Sequence, residues 1–421
     1  MRTLYLCYFG LREPLVQTQV LPYLRELSAG GVGVSLLTFE PDKRNAWTSE
    51  QVEEWRARLQ GQGIRWFSLP YHKRPSLPAT VFDICVGAWK AARLARRYDI
   101  ELLHARGHIA AAIGAITKRF TGSRLLFDIR GFMPEEYADA GIWPRGGYLY
   151  RLTKAAERRL FNASDGFVVL TDKARAILFP GGRDTDKRGR PVEVIPCCVD
   201  FERFKTSDHM SREDARKELG VGGRRVLVYV GALGGWYLTK EMVDFFLTAH
   251  EQDEKTFSMV LTQSPPEMIV EQLKRSGIDS KDFLVKKVWP SEVPRYLKAA
   301  DVAVSFIKPC YSKLSSSPTK IAEYLASGLP IISNSGIGDL DELIEADRVG
   351  VILREFNRDA YISALTEAEA LREDGMIPAR CRESARRRFD LKKVGGARYL
   401  RLYNHFARRD ESDLVASEAS I

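Results

Sequence analysis

Short apolar runs alternate with longer segments of helical periodicity along almost the whole chain. Apolar runs of about four to eight residues, rich in β-branched side chains, are typical of buried strands. Their regular alternation with helical segments predicts parallel sheets joined by crossover helices. We predict strands at Thr3–Phe9, Val32–Phe39, Arg65–Leu69, Leu102–Ala105, Arg124–Ile129, Gly166–Thr171, Val192–Pro196, Val226–Val230, Ser258–Leu261, Phe283–Val288, Val302–Phe306, Ile331–Ser333 and Gly350–Leu353.

The alternation stops and restarts once, which divides the chain. Residues 1–200 carry the first series and 226–378 the second, with a polar junction at 201–225. We therefore predict an α/β protein of two Rossmann-like, doubly wound domains facing across a cleft, with ligand-binding loops after the strands. An Arg-rich helix at 379–407 is expected to cross back to the first domain, and 408–421 to be disordered. Further helices are predicted at Val16–Ser28, Val81–Arg97, Ile109–Phe120, Tyr148–Asn162 and Ser211–Leu219, and around Phe245, Gln272, Tyr296, Glu323 and Leu365.

The composition of the 421 residues is that of a globular protein. With 45% hydrophobic and 28% charged residues, the chain is not disordered, collagen-like or a coiled coil. The longest nearly apolar run, 109–116, is far shorter than the roughly 20 residues that span a bilayer. Arg12 and Glu13 follow the first apolar run, where a signal peptide would carry its cleavage site. Six cysteines without a C-x-x-C pair favour a reducing, cytoplasmic compartment and no metal site.

The positive charge is concentrated in the first half. Residues 1–200 hold 30 Lys and Arg against 21 Asp and Glu, and the rest of the chain is balanced. Such asymmetry indicates an anionic partner, although solvated helix faces explain it equally well. The absence of aromatic interleaving argues against nucleic acid. An amphipathic basic helix around Trp143, Arg151, Lys154 and Arg158 would suit an anionic membrane surface, and an internal scaffold helix is the alternative.

The most informative segment is 306–330, which joins a predicted strand to a predicted helix. Ser317 and Pro318 predict the helix start, with the serine as N-cap and the proline at the first helical position. Lys320 then lies in the first turn, where the helix dipole disfavours a cation by up to about 1 kcal/mol. A bound diphosphate would compensate for this, with Lys313 as a second cation in the same loop.

Other polar residues flank this helix start. Ser316, Ser317 and Thr319 are candidates for hydrogen bonds to a ligand or to free backbone N–H groups. Glu323 shares a helix face with Lys320, and its carboxylate suits the hydroxyls of a ribose. The alternative is that Lys320 and Glu323 form an ordinary exposed pair.

Residues 317–332, SPTKIAEYLASGLPII, resemble the donor-binding helix of the GT-B glycosyltransferases, in particular family 4 of the retaining enzymes. Most of that family carries two glutamates seven residues apart on this helix. Glu323 matches the second, which contacts the ribose, and Ser316 stands where the first would be. Lys320 matches a variant with the pattern Pro-x-Lys-x-x-Glu-Tyr.

A second segment, 229–237, resembles the glycine-rich loop that approaches the donor in the same family. Gly234 and Gly235 are expected to offer backbone donors to phosphate. The family's usual arginine is replaced by Ala232, and Lys240 is displaced from the usual spacing.

The first domain carries the remaining candidates, and the resemblance spans about residues 1–407. The opening segment resembles the family's first loop and helix, with Gly10 at the strand end as a candidate donor-binding residue. The segment that begins Asp-x-Arg-Gly at residue 128 resembles one found in a subset of the family, near the donor sugar. A surface ion-pair cluster is the alternative for this segment. Candidate catalytic residues are Asp128, Arg130 and Lys320, and candidate acceptor-side residues are His104, Arg106, Glu135 and Glu136.

The resemblance implies a retaining, metal-independent glycosyltransferase. It would move a sugar from a nucleotide diphosphate sugar to a glycan or lipid-linked glycan, without a cofactor, in cell-surface polysaccharide biosynthesis. We expect it in the cytoplasm, at the inner face of the cell membrane. The alternatives are an NAD-dependent oxidoreductase or epimerase, disfavoured by the missing G-x-G-x-x-G motif, and a non-catalytic nucleotide-sugar-binding protein.

Overall fold

The computed structural model describes residues 1–41, 47–72, 74, 76–182, 184–205 and 210–418, with side chains described as far as residue 408. The chain divides into two compact units. The first unit contains Met1–Ile195 and Lys392–Ile421, and the second contains Pro196–Leu391. Within the described residues, no helix has both the length and the apolarity needed to span a membrane.

The first unit is built on a seven-stranded parallel sheet, in the order β3-β2-β1-β4-β5-β6-β7. Its strands are β1 (Arg2–Cys7), β2 (Gly33–Pro41), β3 (Ile64–Tyr71), β4 (Leu102–Arg106), β5 (Arg124–Asp128), β6 (Gly166–Val169) and β7 (Val192–Val194). The helices that precede and connect them are α1 (Pro14–Gln19), α2 (Leu21–Ala29), α3 (Ser49–Gln60), α4 (Ser76–Arg97), α5 (Gly107–Thr121), α6 (Met133–Asp139), α7 (Tyr148–Ala163) and α8 (Asp172–Leu178).

The second unit repeats the architecture with six parallel strands, in the order β10-β9-β8-β11-β12-β13. Its strands are β8 (Arg225–Val230), β9 (Thr256–Thr262), β10 (Phe283–Lys287), β11 (Val302–Ser305), β12 (Ile331–Asn334) and β13 (Gly350–Leu353). Its helices are α9 (Glu202–Lys205), α10 (Arg212–Glu218), α11 (Thr239–Gln252), α12 (Glu267–Arg275), α13 (Val293–Leu297), α14 (Thr319–Ala326), α15 (Leu340–Asp347), α16 (Arg358–Glu373) and α17 (Ile377–Phe389). The final helix of the chain, α18 (Ala397–Glu418), belongs to the first unit.

Each sheet has one point at which the strand order reverses, between β1 and β4 and between β8 and β11. In open parallel sheets, ligands bind beyond the carboxyl ends of the strands at such a switch point. The register sets Arg106, the last residue of β4, between Cys7 and Asp128 on the neighbouring strands. The loop that leaves β8 at Val230 occupies the corresponding place in the second unit.

The position of α14 in the second unit is fixed by its buried face. Tyr324 is fully buried and its hydroxyl accepts a hydrogen bond from the N–H of Val230, at 2.7 Å, where β8 ends. Ile321 and Leu325 pack into the same core. Full burial of a large apolar side chain stabilises the fold by about 1.5–3 kcal/mol, so these contacts hold the start of α14 beside the loop after β8.

All 13 predicted strands are confirmed, and the helices differ in detail. The helix predicted at Val16–Ser28 is two helices, because Val20 leaves the helical region with φ −123° and Pro22 follows. The serine N-cap predicted for α14 is wrong: the helix begins at Thr319, one residue later, and Pro318 precedes it without a side-chain cap. The sequence analysis also missed five helices, namely α3, α6, α8, α9 and α15.

The C-terminal segment is interrupted rather than continuous. A π-helical stretch, Leu391–Gly396, separates α17 from α18. Two adjacent glycines, which are poor helix formers, end this stretch and are consistent with the break. The backbone of α18 continues to Glu418, through most of the segment that was expected to be disordered; residues 419–421 lie outside the described residues.

Candidate functional site

The ammonium group of Lys320 is buried against two tyrosine rings. Its Nζ lies 4.0 Å from the ring centroid of Tyr229 and 4.4 Å from that of Tyr237. Lys320 is 5% exposed, and no hydrogen-bond acceptor among the described residues reaches Nζ. An exposed surface pair, the alternative considered for this residue, is therefore wrong for the lysine.

This environment favours the neutral form of the side chain. Burial lowers the pKa of Lys320 to about 7, although the nearby carboxylate of Glu323 acts in the opposite direction. Cation–π contacts return about 2 kcal/mol when desolvated, which is less than the hydration that a buried ammonium loses. An anion beside Nζ would supply the missing acceptor and stabilise the charged form.

The carboxylate of Glu323 is held by Arg203 instead of by Lys320. Its Oε1 accepts a hydrogen bond from Arg203 Nη1 at 3.1 Å, and Arg203 Nη2 donates to the carbonyl of Pro290 at 2.6 Å. Burial raises the pKa of Glu323, whereas Arg203 and Lys320 lower it. Sequence reasoning missed Arg203, because it lies 120 residues away on α9 and belongs to no local motif.

The loop after β8 approaches Lys320 at a point where only glycine fits. Gly231 has φ 146°, and a Cβ there would lie 2.7 Å from Lys320 Nζ. Gly234 and Gly235 also have positive φ, at 72° and 60°. The N–H of Gly234 already donates to Thr239 Oγ1 at 2.9 Å, so this glycine serves the turn as well as any ligand.

Lys313 lies in a short 3₁₀ helix, Tyr311–Ser315, between β11 and α14. It is 7% exposed, and its Nζ lies 4.0 Å from the ring centroid of Trp236 in the loop after β8. The second predicted cation of this loop therefore also packs against an aromatic ring.

The residues that precede α14 are half-buried. The hydroxyl of Ser317 accepts a hydrogen bond from the N–H of Cys197 at 3.1 Å, so it ties the loop to another segment and does not cap the helix. Ser316 and Thr319 lie on either side of this serine and of Pro318. Because no side chain caps α14, its first N–H groups remain suited to an anion.

In the first unit, Asp128 ends β5 and is completely buried. Its Oδ1 lies 3.3 Å from Arg130 Nη1, and its Oδ2 lies 3.7 Å from Arg106 Nη1 and accepts a hydrogen bond from the Tyr399 hydroxyl at 3.2 Å. Burial alone would raise the pKa of Asp128, but Arg130, His104 and Arg106 hold it well below its usual value. The carboxylate is therefore permanently charged and shared between two guanidinium groups. The surface ion-pair alternative does not describe this buried cluster.

His104 lies beside Asp128 and is also fully buried. Its Nδ1 is 2.8 Å from the hydroxyl of Tyr403, and its Nε2 is 3.7 Å from Asp128 Oδ2. Burial lowers the pKa of His104, with Asp128 opposing, so the ring is neutral at physiological pH. Because Tyr399 and Tyr403 both lie on α18, this cluster attaches the last helix to the sheet.

Glu135 and Glu136 have different partners from those of Asp128. Glu135 is 8% exposed and binds α7, through the Tyr150 hydroxyl and Lys154 Nζ, each at 3.0 Å. Glu136 is half-buried, and its carboxylate packs against Gly131, where a Cβ would lie 3.0 Å from Oε1. The two carboxylates thus shape the segment after Asp128.

Gly10 lies in a loop that is held by Glu40, a residue that sequence analysis missed. A Cβ on Gly10 would lie 2.9 Å from Glu40 Oε2. The carboxylate of Glu40 accepts hydrogen bonds from the N–H of Leu11 at 2.9 Å and from Trp47 Nε1 at 2.8 Å. Glycine is therefore required at this position by the buried carboxylate. Across the described ranges, no group of three or more His, Cys, Asp or Glu residues is arranged to hold a metal ion.

Comparisons with known proteins agree with this architecture. A family model for the glycosyl transferase 4-like domain matches residues 16–198, and one for glycosyl transferases group 1 matches residues 224–369. The two matches cover both units, and the chain belongs to the glycosyltransferases of the GT-B fold. The spore coat protein SA of Bacillus subtilis (strain 168) is 26% identical over 162 residues, which are 37% of this chain and 41% of that protein.

Solved structures with the same fold align with nearly the whole chain. Sucrose-phosphate synthase from Thermosynechococcus elongatus has a TM-score of 0.72 at 16% identity and covers 97% of this chain and 100% of its own. HepE of Anabaena in complex with UDP has a TM-score of 0.64 at 16% identity, and the alignment covers 98% of this chain and 100% of HepE. WaaG, a glycosyltransferase involved in lipopolysaccharide biosynthesis, has a TM-score of 0.61 at 15% identity, and the alignment covers 94% of this chain and 96% of WaaG. At these identities the likeness shows the fold alone.

The burial of Lys320 predicts a pH-dependent stability. A lysine whose pKa is lowered on folding destabilises the folded protein at low pH, where the side chain is charged in both states. This penalty shrinks as the pH rises from about 7, the pKa in the folded protein, towards the pKa in the unfolded chain. Replacing Lys320 by Met, whose thioether packs well between rings, should raise the urea midpoint at pH 6.5, and less so at pH 9.5. The exposed Lys274→Met variant is the control and should show neither effect. A K320M difference that is the same at both pH values would contradict the buried, unpaired lysine.

Proposed function

We propose that this protein transfers a glycosyl group from a nucleotide diphosphate sugar to a glycan or lipid-linked glycan acceptor, with retention of configuration and without a metal. The observation that carries the proposal is the buried Nζ of Lys320, at the start of an uncapped helix, for which the residues that the structure describes supply no hydrogen-bond acceptor. Both features favour a polyanionic group at the carboxyl end of the second sheet. A diphosphate has the charge and the oxygen atoms that this site lacks.

The chemistry of transfer explains why such a site would be catalytic. As the bond between the sugar and the diphosphate breaks, negative charge develops on the departing phosphate oxygen. Lys320 and the N–H groups of α14 would stabilise that charge, with Lys313 as a second cation. Because burial lowers the pKa of Lys320 to about 7, an anion that binds beside Nζ raises the fraction of the side chain that is charged, and the attraction is strongest for the most negative form of the leaving group.

The comparisons support a nucleotide sugar as the donor. HepE of Anabaena has been solved with UDP and with UDP-glucose, and its fold matches this chain from end to end. We therefore propose a UDP-sugar as the first donor to test. Glu323, oriented by Arg203, is placed to receive the ribose hydroxyls in this proposal.

Retention of configuration rests on the family resemblance. In this proposal the leaving phosphate assists deprotonation of the acceptor, and Asp128 does not act as the general base. A general base works best when its pKa lies near the operating pH, whereas Asp128 is held ionised by its basic neighbours. Its role is to orient Arg106 and Arg130.

A role in cell-surface polysaccharide synthesis and attachment to the inner face of the membrane form the finer part of the proposal. On α4, Leu77, Val81, Phe82 and Trp89 are each more than half exposed, and Arg93 follows on the same face. Apolar side chains beside basic ones suit the interface of an anionic membrane. On α7, Lys154 forms ion pairs with Glu135 and Glu157 and is therefore not available to a membrane. A membrane-binding surface on α7 would have to consist of the other basic residues of this helix.

Replacement of Lys320 by Ala should lower turnover at least tenfold, because the leaving group loses its nearest cation. Calorimetry with UDP-, GDP-, ADP- and dTDP-sugars identifies the donor, and release of the nucleotide is followed in the same samples. The control is Lys274→Ala, on the surface of the same unit, which should leave turnover unchanged. Unchanged turnover in K320A would contradict the assignment of Lys320. Binding without any donor hydrolysis would favour a non-catalytic sugar-nucleotide binder, and binding of NAD alone would favour an oxidoreductase.

The membrane surface predicts binding to vesicles that depends on acidic lipid. The protein should float with vesicles that contain phosphatidylglycerol and remain in solution with pure phosphatidylcholine. The double variant Phe82→Glu, Trp89→Glu should lose most of this binding, because both exposed rings are replaced by carboxylates. A control with the same charge change on α12, Met268→Glu with Gln272→Glu, should float like the wild type. Absence of flotation with both kinds of vesicle would exclude the membrane role, and flotation that does not depend on acidic lipid would contradict the preference for an anionic surface.

A further inference from the structure

A histidine and a buried aspartate form a pair at the carboxyl end of the first sheet. His72 directly follows β3, and Asp83 lies on α4. His72 Nδ1 is 2.6 Å from Asp83 Oδ1, and the backbone N–H of His72 donates to Asp83 Oδ2 at 3.1 Å. Asp83 is 1% exposed, whereas 42% of the His72 side chain is exposed. The pair therefore joins a buried carboxylate to a ring that reaches the surface.

The hydrogen bonds of Asp83 determine which ring nitrogen of His72 carries the proton. The hydroxyl of Tyr8, which directly follows β1, donates to Asp83 Oδ2 at 2.7 Å. Burial and the neighbouring carboxylate raise the pKa of Tyr8, so its hydroxyl stays protonated and remains a donor. Because a carboxylate only accepts hydrogen bonds, the neutral ring of His72 carries its proton on Nδ1 and its lone pair on Nε2. Within the described ranges, Nε2 has no hydrogen-bond or ionic partner.

The surroundings of the ring indicate what kind of ligand this nitrogen suits. The ring of His72 packs edge-on against that of Phe82 on α4, with centroids 5.2 Å apart and an angle of 86° between the planes. Phe82 is 54% exposed and belongs to the apolar face of α4 proposed above for the membrane. A single hydrogen-bond acceptor thus borders an apolar surface. Binding sites for small molecules combine apolar contact with a few placed polar groups in the same way.

The position in the sheet also favours a ligand. Tyr8 leaves β1, one of the two strands at the switch point of the first sheet, and its ring contacts that of Tyr71 at the end of β3, with centroids 5.4 Å apart. The pair therefore lies at the edge of the sheet where open parallel sheets bind their ligands.

We propose that His72, oriented by Asp83, accepts a hydrogen bond from a sugar hydroxyl of an amphiphilic acceptor, whose apolar chain lies against Phe82 and the exposed face of α4. The proposal rests on the function proposed above and selects a lipid-linked saccharide over a free glycan as the acceptor. His72 binds the acceptor, and Asp83 is a positioning residue, because it acts through the ring. No proton is transferred to His72 in this role.

The test measures the binding of amphiphilic probes by calorimetry at pH 8. The probes are octyl β-D-glucoside, octyl β-D-galactoside and octyl N-acetyl-β-D-glucosaminide, each kept below its micellar concentration. The wild type should bind at least one of them. The methyl glycoside of the same sugar, which lacks the chain, should bind at least tenfold more weakly.

Two variants of His72 separate a binding role from a structural one. In His72→Asn, the amide nitrogen takes the place of Nδ1 and keeps the hydrogen bond to Asp83, whereas nothing replaces Nε2. In His72→Gln, the amide reaches the position of Nε2, where its oxygen accepts a hydrogen bond, but the bond to Asp83 is lost. We expect H72N to melt like the wild type and to bind the octyl probe at least fivefold more weakly, and H72Q to bind it more tightly than H72N. The matched control is His250→Asn, a half-buried histidine of the second unit, which should bind the probe normally.

An exposed position provides a variant that leaves the pair intact. Phe82→Ala removes the apolar neighbour of the ring, so it should weaken binding of the octyl probe at least threefold, even if a variant of His72 fails to fold. The proposal is overturned if the wild type binds none of the octyl glycosides, or if H72N or Phe82→Ala binds them as tightly as the wild type. It is also overturned if H72Q binds more weakly than H72N, the order expected when only the hydrogen bond to Asp83 matters.

Failure of this proposal is distinguishable from failure of the proposed function. Binding of UDP and hydrolysis of the donor by the wild type test the Lys320 site and require no acceptor. Their absence would remove the proposed function, and with it the role of His72 in binding an acceptor. Binding of UDP without binding of any octyl glycoside would leave the transferase intact and would remove only the amphiphilic acceptor.

Discussion

The proposed site of the second unit depends on the burial of the Lys320 ammonium group, which no hydrogen-bond acceptor in the described part of the chain reaches. Taking a charged amine out of water costs several kcal/mol unless hydrogen bonds or an opposite charge replace its hydration. Contacts with two tyrosine rings offset part of this cost. The lowered pKa of Lys320 reduces it further, because a larger fraction of the side chain is neutral. Gly231 has φ 146°, a conformation that L side chains rarely adopt, and a Cβ there would also crowd Nζ. Glu323, the nearest carboxylate, is turned towards Arg203.

The first unit has a buried cluster of charged side chains at its own switch point. One buried carboxylate, that of Asp128, is shared by two arginines and a tyrosine. In the second unit, Lys320 lies in the first turn of an uncapped helix at the carboxyl end of the sheet, and both its charge and the helix dipole favour an anion there. In the first unit the negative charge beside the arginines is supplied by the protein itself, through Asp128.

The periodicity of the sequence was sufficient to predict the strands and their division into two sheets, because parallel strands buried on both faces are continuous apolar runs. It was also sufficient to single out Lys320, since a cation in a first helical turn conflicts with a local rule. The missed helices α6 and α8 have only seven residues each, too few for a clear period, whereas α3 has a capping box at Thr48 and Gln51 that the sequence analysis overlooked.

The partners of the site were not predictable. Arg203 and Glu40 act on residues far away in the chain, and no local pattern marks such a pair.

The central claim is that burial lowers the pKa of Lys320 to about 7 in the free protein and that a bound diphosphate restores the charge of the side chain. Its most direct test is the number of protons taken up when UDP binds at pH 8, measured by calorimetry in buffers of different ionisation enthalpy. The account predicts an uptake of about one proton in the wild type, since a group with a pKa near 7 is almost uncharged at that pH. It predicts almost none in Lys320→Met. Equal proton uptake by the two proteins would contradict it.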